Sequence, residues 1–254
     1  MTRLLKLGGG STFVFLVVLL LAGCESFPPS PDPNVRYVAF GDSTTDGPAD
    51  KQYVDFLPDL LHENANAFAN EGNSGETSAE GLARLRTIFT QKRYPNATTL
   101  IYWEGGNDLS EFIQQNDPLL LSSPAGPDFA LETKLQTALD ETQATIAEAI
   151  MEARSNGLTV YVATYAPLGP GIQSCNALLF DLLFPAQATN GNAYLDELNR
   201  RLVQVAATNG AILVDIAAIG DELRSSSSNY ENCNHLSEQG NERAAREFAA
   251  ALRP

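Results

Sequence analysis

Val38-Ala39-Phe40-Gly41-Asp42-Ser43-Thr44-Thr45-Asp46-Gly47 reads as an apolar strand that stops at a Gly-Asp-Ser turn. The turn leaves Ser43 at the strand's C-terminal tip. Open α/β sheets bind ligands and do chemistry at that edge. A serine there is a candidate nucleophile, provided a base reaches it. The chain has 2 histidines, so the search for that base is short.

Outward from this run the chain alternates strand and helix patterns. Strands are expected at 35–40, 67–71, 99–104, 158–165 and 211–216, as β-branched or apolar runs. Helices are expected at 53–64, 78–90, 131–156, 194–209 and 237–252. The third of these stops at Gly157 and the fourth at Gly210, both typical C-terminal stops. Five strands with helical crossovers predict an α/β fold, a parallel sheet covered on both faces in three α/β/α layers. Neither an internal repeat nor a second-domain boundary is visible. Two stretches, 111–129 and 172–192, fit no regular element. The first carries Leu119-Leu120-Leu121; the second carries Leu178-Leu179-Phe180 and Leu182-Leu183-Phe184. Both follow strands, so both are expected on Ser43's side of the sheet, either shaping a substrate site or packing as small apolar clusters of their own.

Four loops after strands carry the chemistry. They are Gly41-Asp42-Ser43, then Asn70 to Thr77, then Gly105-Gly106-Asn107-Asp108, and finally Asn232-Cys233-Asn234-His235. His62, beside Glu63 in the first helix, is expected at the surface. His235, at the start of the last helix, is the remaining base. Acyl transfer also needs donors aimed at a developing oxyanion. Gly75 can bring its N–H close because it has no Cβ, Asn107 offers a side-chain NH₂, and the Ser43 N–H is a third donor. Other signals are missing. There is no Gly-x-Ser-x-Gly elbow. His62-Glu63 is not followed by a histidine at the zincin spacing, and there is neither a P-loop nor a dinucleotide fingerprint. No metal and no nucleotide cofactor is therefore expected.

These blocks, in this order, resemble the SGNH, or GDSL, hydrolase family from about Val35 to the C-terminus. The run from Ser74 to Leu85 is especially similar to bacterial thioesterase/lysophospholipase-type esterases. The resemblance implies a flavodoxin-like α/β/α sandwich. It also implies that Ser43 is the nucleophile, Gly75 and Asn107 are oxyanion donors, and His235 is the base. One position departs from the family. An aspartate usually stands three residues before the histidine, where this chain has Asn232. An amide can accept from the ring N–H but brings no negative charge. In a serine protease the corresponding change cost about 10⁴ in turnover by favouring the wrong tautomer. Three readings stay open: a Ser-His dyad, a triad completed by Glu231 or Asp221, and a weakened enzyme.

The N-terminus reads as an address. Arg3 and Lys6 precede the unbroken apolar run Phe13 to Leu21, which is short for a bilayer span. Leu21-Ala22-Gly23-Cys24 follows and resembles a bacterial lipobox, with cleavage before Cys24 and lipidation of it. Residues 1–23 are thus expected to be a lipoprotein signal peptide, 24–34 a proline-rich tether and 35–254 the hydrolase domain. The tether reaches roughly 30 Å at about 3.1 Å per residue. Removing Arg3 and Lys6 from the 16 basic residues, against 31 acidic ones, leaves a net charge of about −17. Such a surface suits neither nucleic acid nor anionic head groups, so membrane attachment is expected through acyl chains on Cys24. Cys175 and Cys233 form an even pair in an exported chain and are expected to bridge.

The expected activity is hydrolysis of an ester by a monomer in the bacterial cell envelope. The substrate is a simple acyl ester, a lysophospholipid or an acetylated glycan. The rivals are an O-acyltransferase on the same site and a non-catalytic lipoprotein that binds glycan or lipid in a decayed cleft.

Overall fold

The structure is a computed structural model, and it describes residues 30–124, 126, 128–169 and 185–253. The apolar run 13–21, Cys24, Cys175 and the apolar triplets of 178–184 lie outside the described residues. The expected lipobox and most of the second insertion are therefore not seen.

Strands β1 (Tyr37–Gly41), β2 (Phe68–Gly72), β3 (Thr99–Trp103), β4 (Thr159–Ala163) and β5 (Ile212–Val214) form one sheet in the order β2-β1-β3-β4-β5. Every pairing is parallel. This is a doubly wound order whose strand sequence reverses direction between β1 and β3. The crevice at that reversal opens beyond the C-terminal ends of β1 and β3, where Ser43 and Asn107 follow.

Helices α1 (Tyr53–Leu61) and α7 (Glu238–Leu252) pack together on one face, and α2 (Ser78–Thr90), α4 (Phe129–Ser155) and α5 (Pro185–Asn209) pack on the other, with the short α6 (Gly220–Arg224) between β5 and α7 in the chain. Strand alternation explains both layers. In β3, Trp103 meets Tyr53 and Phe248 on the α1/α7 side, while Tyr102 stacks on Phe40, over which the Arg84 guanidinium of α2 lies. β1, β3 and β4 are rich in buried apolar residues, as strands covered on both faces require, whereas edge strand β2 buries only Glu71 and edge strand β5 only Val214.

The structure corrects three expected boundaries. Residues 111–116 are not loop: they complete helix α3 (Gly106–Asn116), which begins directly after β3. Helix α5 starts at Pro185 rather than Tyr194, so the C-terminal part of the second insertion is helical. His235 does not open the last helix, because Ser237 is its N-cap and accepts from the Gly240 N–H. At the other end of the domain, Asp32 N–H donates to the Arg93 carbonyl at 2.8 Å and the Asn96 amide donates to the Pro33 carbonyl at 2.8 Å. Asp32 and Pro33, in the stretch expected to be a tether, thus lie docked on the domain. No helix among the described residues is long and apolar enough to cross a membrane.

Candidate active site

Ser43 is presented by a turn built on its neighbour. The Asp42 carboxylate accepts from Thr44 N–H and Thr44 Oγ1, both at 2.8 Å. The Asp42 carbonyl accepts from Thr45 and Asp46 N–H at 3.0 and 3.1 Å. The chain therefore coils into a helical turn as soon as β1 ends, with half-buried Ser43 at its start.

The histidine arrives on a tight loop. Tyr230 and Leu236 form an antiparallel bridge, and Glu231 N–H donates to the His235 carbonyl at 2.9 Å. His235 Nε2 lies 2.8 Å from Ser43 Oγ, and its Nδ1 lies 3.0 Å from Asn232 Oδ1. Both ring nitrogens are thereby engaged. Exposed Glu231 and Asp221 do not hydrogen bond to the ring, so the displaced-carboxylate triad is not what forms.

The Asn232 amide is fixed in orientation. Its Oδ1 also accepts from the backbone N–H groups of Asn234 at 3.2 Å and His235 at 3.0 Å. Only the carbonyl end of an amide satisfies those donors. The oxygen therefore faces Nδ1, Nδ1 carries the proton, and Nε2 is left free to accept from the Ser43 hydroxyl. This is the tautomer a base needs. Asn232 does the steering of an aspartate without its charge. Burial alone pushes the His235 ring below the ordinary histidine pKa, favouring the neutral base.

The expected oxyanion donors belong to the Ser43 turn and to the loops that follow β2 and β3. Gly75 sits at an exposed turn with φ +86°, a conformation that favours glycine. Neither the Ser43 nor the Gly75 N–H makes a hydrogen bond among the described residues. The Ser74 hydroxyl donates to the Asp46 carbonyl and Asn70 Nδ2 donates to the Thr45 carbonyl at 3.0 Å, tying this loop to the Ser43 turn. Asn107 Nδ2 donates one of its two protons to the Glu76 carbonyl at 2.9 Å. Its other N–H remains for a ligand. The same loop is stitched from behind: Ser78 donates to Asp108 through its N–H at 2.8 Å and its hydroxyl at 2.6 Å.

Three neighbours support the site in roles the sequence does not show, although Asp42 itself stands in the Gly-Asp-Ser turn. Buried Tyr165, after β4, donates its hydroxyl to Asp42 at 2.6 Å and accepts from the Gly106 N–H at 2.9 Å. It joins the nucleophile turn to the Asn107 loop. A Cβ on Gly106 would lie 2.8 Å from the Tyr165 ring, so glycine is required there. Asp42 is the second neighbour. Burial raises its carboxyl pKa, and the Tyr165 and Thr44 hydrogen bonds pull it back. The third is Glu104, fully buried at the end of β3. Burial, with Asp42 and Glu76 close by, pushes its carboxyl well above the usual range. A separation in sequence of 123 residues hides the Tyr165–Asp42 contact. Glu104 borders the Asn107 block and was legible only as the last residue of the third strand.

Ser43, Asn107 and His235 open together onto a cavity of about 270 Å³. Beyond them its walls turn apolar, with Leu109 and Ile113 of α3 and Leu195 of α5. Among the described residues no group of three or more His, Cys, Asp and Glu is arranged to hold a metal ion. The arrangement supplies a hydroxyl at hydrogen-bond distance from its proton acceptor, with Asn107 lining the same cavity; Gly75 is not among the residues that line it. That is the equipment for attack on an acyl carbonyl.

A profile of the GDSL-like Lipase/Acylhydrolase family matches residues 39–243. None of the curated proteins compared matches the sequence. Solved structures share the fold at low identity. The native aryl esterase of M. smegmatis is 17% identical with a TM-score of 0.60, over 86% of this chain and 98% of that one. A catalytic mutant of an acetylxylan esterase from Geobacillus stearothermophilus is 18% identical with a TM-score of 0.59, over 85% and 93%. A GDSL-like lipase from Bacteroides thetaiotaomicron is 18% identical with a TM-score of 0.52, over 86% of each chain.

Proposed function

This chain belongs to the GDSL-like lipase/acylhydrolase family and is a carboxylic ester hydrolase; from that premise and its site geometry we propose that it is a lipid-anchored, extracytoplasmic serine esterase working through a Ser43 acyl-enzyme. The observation that carries the reading is the chain of contacts Ser43 Oγ–His235 Nε2 at 2.8 Å and His235 Nδ1–Asn232 Oδ1 at 3.0 Å.

His235 Nε2 takes the Ser43 proton as Oγ bonds to the acyl carbon, and the carbonyl π pair moves onto oxygen. The Ser43 N–H, Gly75 N–H and the spare Asn107 Nδ2 proton hold that oxyanion. The carbonyl then re-forms, the bond to the alcohol breaks, and His235 returns the proton to the leaving oxygen. Water repeats the sequence on the acyl-enzyme, releasing the acid and restoring Ser43. Asn232 orients the imidazolium formed in each half-reaction through its carbonyl dipole. A weakened or binding-only site is disfavoured because the tautomer, the nucleophile contact and the free amides are all in order.

The substrate is a small acyl ester, a lysophospholipid or an acetylated glycan. Two of the structural neighbours act on acetylated xylan or its oligosaccharides by name. Lipid on Cys24 holds the chain at the membrane. A Cys175–Cys233 bridge ties the loop after β4 to the histidine loop, where Gly169 N–H already donates to the Cys233 carbonyl at 2.9 Å. The test is hydrolysis of p-nitrophenyl esters by the chain and by Ser43→Ala. The substitution is expected to lower kcat by about 10⁴-fold or more. Equal rates in the two proteins would refute the serine mechanism.

A further inference from the structure

Five observations around the cavity beside Ser43 point the same way. First, much of its lining is apolar: Leu109, Ile113, Leu120, Leu168 and Leu195. Second, Leu120 is fully buried although it lies in a connecting segment, and its φ is +49°, a conformation that bulky residues rarely adopt. Third, that segment is held in place. Asp117 carboxylate oxygens accept from Leu121 and Ser122 N–H at 3.0 and 2.9 Å, and Tyr194 donates its hydroxyl to Asp117 at 3.1 Å. Fourth, α5 latches it from the other side: Gln187 donates to the Leu119 carbonyl at 2.7 Å and Asn190 to the Leu120 carbonyl at 2.8 Å. Fifth, Gly191 lies on the same helix where Leu120 and Leu168 approach. A Cβ there would lie 2.7 Å from Leu168 Cδ1 and 3.4 Å from Leu120 Cδ1.

We infer that this cavity is the acyl-chain pocket of the esterase, that it takes a straight chain longer than acetyl, and that Gly191, Leu168 and Leu120 set its length limit. The inference rests on the serine-esterase reading above. With the carbonyl at Ser43 and Asn107, the chain runs along α3 towards Leu120. A strained, latched leucine at its end makes a fixed stop rather than an adaptable one. At roughly 30 Å³ for each water-sized group, a cavity of about 270 Å³ has room for about nine such groups, an acyl chain of about eight carbons with its carbonyl oxygen. Each buried methylene is worth about a fourfold gain in kcat/KM. Glycine at 191 keeps the helix backbone from crowding Leu168 into this space.

The experiment is kcat/KM on p-nitrophenyl acetate, butanoate, hexanoate, octanoate and decanoate, for the full chain, Gly191→Ala, Leu168→Ala and Ser43→Ala. In the wild type kcat/KM should rise about fourfold per methylene up to the octanoate and fall at the decanoate. Gly191→Ala suits a helix, so its fold is secure; it should cut the octanoate-to-acetate ratio about tenfold. Leu168→Ala should move the optimum towards the decanoate. Acetate as the best substrate, or ratios within twofold of wild type in both pocket variants, would overturn the pocket assignment while leaving the esterase reading intact. No Ser43-dependent hydrolysis of any ester would overturn the esterase reading, and this inference with it.

Discussion

Asn232 is the residue on which the chemistry turns. The amide in place of the family's carboxylate was plain in the sequence, and its consequence was not. Whether an asparagine gives the right tautomer depends on which end of the amide faces the ring. That end is decided by the Asn234 and His235 backbone N–H groups, which no motif encodes. What the site lacks is charge, and this makes two connected predictions. Nothing beside the ring offsets the burial that lowers the His235 pKa. The base is therefore neutral and active below the ordinary histidine pKa of about 6.5, so the acid limb of the kcat/KM profile should fall below that value. Asn232→Asp keeps the acceptor and adds a negative charge, which favours imidazolium. That acid limb should then move to higher pH, and kcat at the plateau should rise about tenfold because the cationic ring is stabilised as it forms. A profile that is unmoved by the substitution would show that Asn232 does not steer His235.

At the scale of elements, the strands and the longer helices were legible because each carries its own period and its own stop, such as Gly157 after α4. The two misjudged segments lack that signal. In α3 the start Gly105-Gly106 reads as a turn, yet Gly105 at φ +116° serves as the N-cap and the helix continues through Gln114-Gln115-Asn116. In α5 the first turns, Gln-Ala-Thr-Asn-Gly-Asn, have poor helix propensity. They are held by tertiary bonds, Gln187 and Asn190 to the Leu119–Leu120 carbonyls and Asn192 Oδ1 to the Leu168 N–H. Tyr165 is the comparable case for the site, since it connects loops that are distant in the chain. Tyr165→Phe keeps the ring and removes the hydroxyl, leaving buried Asp42 and the Gly106 N–H each short of a partner. The expected cost is about 1–3 kcal/mol, read as a lower Tm, with kcat falling about tenfold as the Ser43 turn and the Asn107 loop lose register. An unchanged Tm and kcat would remove Tyr165 from the positioning network.

For the whole molecule, the order of blocks along the chain was enough to predict that four loops converge on one sheet edge. The strand order explains why they do, because the reversal between β1 and β3 sets the Ser43 turn next to the Asn107 loop. The acidic domain and the proposed anchor fit one picture, in which acyl chains on Cys24 hold a negatively charged body beside a membrane it would not otherwise bind. Cys24→Ser should move the protein from the membrane fraction to the soluble one, and an unchanged distribution would rule out that anchor. The central claim, that Ser43 is a nucleophile activated by His235, is tested most directly by covalent capture. The full chain would be treated with a fluorophosphonate at neutral pH and analysed by intact-mass and peptide mass spectrometry. A single adduct on Ser43, formed at least a hundredfold more slowly in His235→Ala, is the predicted result; no adduct, or one formed as fast without His235, would contradict it.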